Sequence, residues 1–137
     1  MPFASTLKNI QNRTKPSDTF YTPKEIVFEA IRLCQEMVDD NNEHLEEMEG
    51  LDPLNVTWYD PFRGLGAFYE RYPVNDKKDW AEITMGKDFY KIDPNWVRED
   101  VKIICSNPPY SHLDSVLQRC VKVEADIICL TLGNMNI

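Results

Sequence analysis

Val101-Lys-Ile-Ile-Cys-Ser106, running directly into Asn107-Pro-Pro-Tyr-Ser111, is the stretch that decides how this chain folds. The apolar run Val101–Ile104 predicts a buried strand. That strand must stop at Asn107, because neither Pro108 nor Pro109 can donate a ladder hydrogen bond and each fixes its own φ. Each proline also drives the residue before it toward extended geometry. The Asn107 side chain and the adjoining carbonyls are thereby held at the C-terminal edge of the strand, with Tyr110 beside them. In open α/β sheets that edge is where ligands bind.

Downstream, Leu113, Val116, Leu117, Cys120 and Val121 recur at helical spacing and predict an amphipathic helix. Asp126-Ile-Ile-Cys-Leu-Thr-Leu132 predicts another buried strand. Upstream, Val56–Asp60 is β-branched and aromatic, which predicts a strand. Pro61–Phe68 turns out of it into a short helix at 67–71, and Trp80–Thr84 predicts the next strand. Gly86–Tyr90 predicts a loop or a very short strand, and Pro94–Asp100 a turn or a single helical turn. Nearer the start, Thr22, Pro23 and Glu25 have the pattern of an N-cap, a first-position proline and a capping-box acid. The helix they open is expected to bury Ile26, Val27, Ala30, Ile31, Cys34, Met37 and Val38. It is expected to fray through 39–42, with a second helical piece at His44–Met48 closed by Gly50 and Pro53. Residues 1–17 read as a flexible arm and 18–137 as one domain. Strands alternating with helices predict an α/β fold around a mainly parallel sheet.

Bulk properties narrow the function classes. A chain of 137 residues with 42% hydrophobic and 28% charged residues has the composition of one globular domain. No apolar run approaches the roughly 20 residues of a membrane span, and no secretory signal core is present. A net charge of −8 argues against a generally basic nucleic-acid coat. The acids crowd between Glu36 and Asp60, while Lys8, Arg13, Lys15 and Lys24 lie in the first segment. The four cysteines (Cys34, Cys105, Cys120, Cys129) are far apart in sequence, each in an apolar stretch, and read as buried, reduced thiols of an intracellular protein. His44 and His112 are the only histidines and neither is spaced with a cysteine, so no metal-ligand set is expected.

A second candidate site stands at the end of the Val56–Asp60 strand. In Asp60-Pro-Phe-Arg-Gly-Leu-Gly-Ala-Phe68, Gly64 and Gly66 allow close approach of backbone to a ligand. A dinucleotide fingerprint would need a small residue at position 69, where this chain has Tyr69, so the NAD reading fails. Glu82 follows near the end of the next strand, where an acid can accept hydrogen bonds from ribose hydroxyls.

Asp60-Pro-Phe-x-Gly-x-Gly-x-Phe68 followed by Asn107-Pro-Pro-Tyr110 resembles the two signature motifs of the S-adenosylmethionine-dependent DNA amino-methyltransferases, most closely the N6-adenine type. Phe20-Tyr-Thr-Pro23 resembles the segment that cups the methionine end of the cofactor, and Gly86-Lys-Asp88-Phe89 the loop whose acid meets its adenine. The four motifs occur in the order of enzymes whose cofactor half precedes the catalytic half, over residues 18–132. The resemblance implies a Rossmann-like three-layer sandwich. It implies cofactor contacts from Tyr21, Thr22, Pro23, Asp60, Pro61, Phe62, Gly64, Gly66, Glu82, Asp88 and Phe89. Phe68, Phe89, Phe20 and Tyr21 divide evenly between core and cofactor roles, and the role of Arg63 is open.

The implied catalytic group is Asn107, Pro108, Pro109 and Tyr110. The exocyclic nitrogen of adenine is a poor nucleophile, because its lone pair is delocalised into the ring. In the family mechanism the Asn107 side-chain oxygen and the Pro108 carbonyl draw on its N–H bonds and free that lone pair, while Tyr110 stacks on a base flipped out of DNA. The family sheet has seven strands, and this chain is expected to lack the last of them, to carry no target-recognition domain, and to present an open sheet edge to a partner chain or a second copy. The alternatives are the same fold acting on cytosine N4, RNA or a protein glutamine, or a truncated cofactor- or partner-binding remnant without turnover.

Overall fold

The computed structural model describes residues 22–132; the side chains of Glu49 and Tyr110 lie outside the description. The expected arm and Tyr21 therefore fall outside the described residues. Helix α1 (Lys24–Glu49) is followed by strands β1 (Val56–Asp60), β2 (Lys77–Trp80) and β3 (Val101–Ser106), helix α2 (Leu113–Lys122) and strand β4 (Ile127–Leu130). The strands form one all-parallel sheet in the order β2-β1-β3-β4. From β1 the chain runs outward to β2, then returns to β1's other side as β3. The C-terminal ends of β1 and β3 thus flank a topological switch point, the crevice where ligands bind in such sheets.

Side chains alternate across the sheet with the period of two that strands impose. Trp58, Ile103 and Cys105 join Val27, Ala30, Ile31, Cys34 and Val38 of α1 on one face. Tyr59 and Ile104 join Val116 and Cys120 of α2, with Phe89 and Val123, on the other. Both faces are covered, which is why β3 reads as a nearly continuous apolar run. The Trp58 and Tyr72 rings stack with centroids 5.0 Å apart, and the Tyr72 hydroxyl donates to the Cys105 carbonyl, tying the segment after β1 to the end of β3.

The structure corrects several expectations. Helix α1 does not fray at 39–42 but runs unbroken to Gly50, whose φ of 63° gives a left-handed cap. The Asn42 side chain, instead of competing with the helix, accepts from the Leu54 N–H at 3.0 Å and draws the following segment back along it. Ile26 and Met37 flank the buried stripe and are exposed, as are Leu117 and Val121 on α2. The strand expected at Trp80–Thr84 lies earlier, at Lys77–Trp80. This is an edge strand, where polar residues are at home, and Lys78 extends its amine over the Tyr69 ring. Beyond Trp80, Glu82 folds the chain into a 3-10 turn (Ile83–Met85) by accepting from the Thr84 N–H. The short helix expected at 67–71 is a single 3-10 turn, Tyr69–Arg71.

Candidate functional site

The glycine loop leaves β1 through a set of short hydrogen bonds. Oδ1 of Asp60 accepts from the Phe62 N–H at 3.1 Å and from the Ser106 hydroxyl at 2.5 Å, joining the loop to the end of β3. The Ala81 N–H donates to the Asp60 carbonyl at 2.8 Å, and the Arg63 N–H to the Ala81 carbonyl at 3.0 Å. Glu82 completes the frame: Oε1 accepts from the Gly64 N–H at 3.0 Å, and Oε2 from the Thr84 N–H and hydroxyl. Although partial burial opposes its charge, the bonds from Thr84 and Gly64 hold the Glu82 carboxyl below its ordinary value.

Gly66 sits at φ +89°, and a Cβ there would lie 2.9 Å from Cγ of Glu70. Gly66→Ala is expected to lower stability by about 1–2 kcal/mol, measured by urea unfolding, because left-handed backbone strains any L side chain. Unchanged stability would mean that the loop is free to relax.

At the other wall stands Asn107, buried at the end of β3. Its amide nitrogen donates to the Thr22 hydroxyl at 2.8 Å, while its buried carbonyl oxygen Oδ1 has no partner among the described residues. Thr22 is thus not the N-cap of α1. That place falls to Pro23, with no side-chain cap, and the Thr22 hydroxyl is spent on the amide instead. Between these walls lies a cavity of about 540 Å³, a volume suited to a cofactor-sized ligand. Thr22, Phe62, Gly66 and Asn107 line it, with Lys24, Arg63 and Arg71 as cations on its wall and Glu25 and Glu70 as acids.

Two more buried polar atoms near the loop, Oδ2 of Asp60 and Nε of Arg63, have no partner among the described residues. Asp60 is fully buried, and burial pushes its carboxyl up to about 6 despite the hydrogen bonds from Ser106 and Phe62. The Arg63 guanidinium lies 4.8 Å from the Trp80 ring centroid and 5.5 Å from that of Tyr69, which holds it beside the loop.

Compared with protein-family models, curated proteins and solved structures, the chain matches none.

Of the remaining candidate residues, Phe68 lines the cavity, whereas Pro23, Pro61, Asp88, Phe89, Pro108 and Pro109 do not. Pro61 is buried under the loop, Pro108 is buried beside Asn107, Pro109 is half-buried and Pro23 is exposed. Asp88 accepts from the Tyr90 N–H at 2.9 Å and shapes a turn. Phe89 is core: it packs on Tyr59 and Phe62 and carries the Arg119 guanidinium over its ring. Phe68 is core as well. Tyr110 opens a 3-10 turn, Tyr110–His112. Two contributors were not assigned from the sequence, the Thr22 hydroxyl as amide anchor and Ser106 as the partner of Asp60. A hydroxyl immediately before Asn107 is the signal that could have indicated the second.

Proposed function

We propose that this chain is an S-adenosylmethionine-dependent amino-methyltransferase of the N6-adenine type that acts on DNA. The observation that carries the reading is Oδ1 of Asn107, a buried acceptor at the wall of the cavity with no partner among the described residues. Burying an amide oxygen unpaired costs on the order of 1–3 kcal/mol, so a ligand that donates to it is favoured. An exocyclic amino group is such a donor. The bond from Nδ2 to Thr22 fixes the amide plane, so the carbonyl does not have to be reoriented when an amino group arrives.

The residues present suit the cofactor. The cavity volume is adequate and Gly66 keeps one wall low. When bound, S-adenosylmethionine supplies an electrophilic methyl group. The chain's own contribution is then positional: Asn107 and the Pro108 carbonyl accept from the two N–H bonds of the base, Tyr110 stacks on its ring, and the loop fixes the direction of approach. Glu82 holds the Gly64 N–H, so its contribution to cofactor binding is through the loop.

Calorimetry on the full chain tests the cofactor reading, with a dissociation constant below about 1 mM expected for S-adenosylmethionine; no heat of binding at that concentration overturns it. Labelled methyl from the cofactor should enter poly(dA-dT) and not poly(dG-dC). The opposite preference would reassign the target to cytosine N4.

A further inference from the structure

Three of the four cysteines converge although each is at least 24 positions from the next in sequence. Cys105 and Cys129 are register partners on the parallel strands β3 and β4, so their side chains leave the same face of the sheet. Cys34 of α1 comes down on that pair from above, and the three Sγ atoms all lie within 4.8 Å of one another. Three thiolates bound at about 2.3 Å to one ion stand about 4 Å apart, so the trio needs only a small contraction to share a ligand.

We propose that Cys34, Cys105 and Cys129 form a three-thiolate site for a thiophilic divalent metal ion of the zinc class, separate from the cavity beneath the glycine loop.

The donor set decides the class. Three sulfurs with no oxygen or nitrogen among them select soft ions over magnesium or calcium. A divalent ion leaves the complex with one net negative charge and a monovalent ion with two, and in a largely buried site the smaller charge is favoured. Binding converts three thiols and the ion into a trithiolate complex and three released protons. Access exists: a groove of about 440 Å³ reaches Cys34 and Cys129, and its wall includes Glu36, Asp40 and Asp126, with no Lys or Arg among its lining residues. An acidic mouth attracts a cation, and the same opening leaves room for a water or an added thiol as fourth ligand. The fourth cysteine, Cys120, lies in the cluster on the opposite face of the sheet and takes no part.

The test is titration of the full reduced chain with cadmium under anaerobic conditions. One equivalent should produce the ultraviolet thiolate-to-metal absorption band, with proton release. Cys129→Ser should weaken binding by about 100-fold or more, whereas Cys120→Ser should leave it unchanged. Because variants in a core can misfold, the unaltered chain supplies a second readout: cadmium should protect Cys129 from alkylation, followed by mass spectrometry. No absorption band, equal loss in Cys120→Ser, or an alkylation rate at Cys129 indifferent to cadmium each overturns the site.

Discussion

Replacing Asn107 with alanine is expected to lower the proposed methyl transfer to DNA by about 100- to 1,000-fold, the usual cost of deleting one preorganised acceptor or donor at a reacting centre. The change should fall on kcat, with S-adenosylmethionine affinity within a few-fold of the parent by calorimetry. The physical basis is the division of labour within one side chain. The amide nitrogen is fixed by Thr22, 2.8 Å away, and the oxygen is left over. Alanine removes the oxygen and leaves the Thr22 hydroxyl to find water. Thr22→Val gives the complementary case: the oxygen remains but its orientation is no longer held, so a smaller fall is expected, again in kcat. Transfer that persists at the parent rate in Asn107→Ala would refute the role of this side chain, while retained cofactor binding in the same variant would leave the cofactor reading intact.

The second large effect concerns the pH dependence of stability. The Asp60 carboxyl, ordinarily near 3.8, is raised to about 6 by complete burial. Between those two pH values the folded chain binds a proton that the unfolded chain has already released. The stability tied to this proton is therefore complete below about pH 3.8 and is lost as the pH rises through 6, amounting to roughly 3 kcal/mol. Asp60→Asn has no proton to lose and keeps an acceptor oxygen for Ser106 and Phe62. Relative to the parent, the variant should gain about that amount between pH 4 and pH 7, read from urea midpoints of both proteins at both pH values. Parallel pH profiles would show that the carboxyl titrates normally in the folded state.

The strands around the site were legible in the sequence for a simple reason. Val56–Asp60 and Val101–Ser106 are central strands buried on both faces, so their composition is set by burial alone. Lys77–Trp80 was misplaced because an edge strand shares its polar composition with loops. The loop and Asn107 could be read because glycines and prolines impose backbone geometry locally. The Thr22 hydroxyl could not, because its partner lies far away along the chain and a threonine before Pro-x-Glu carries the stronger local signal of a cap. Convergence of Cys34, Cys105 and Cys129 was hidden for the same reason: strand register and the placement of a helix are non-local.

The contact between Thr22 and Asn107 closes a span of 85 residues. Loop closure over such a length costs ~4 kcal/mol in chain entropy from its length-dependent part, whereas one hydrogen bond returns about 1 kcal/mol. The bond therefore cannot draw the two ends together; sheet pairing and the burial of α1 must do so first. During synthesis the amide has no anchor until β3 has emerged and seated beside β1. A chain that is collapsed but not yet fully paired would hold the glycine loop without a fixed amide opposite it, so the cavity wall is completed only in molecules that have finished folding.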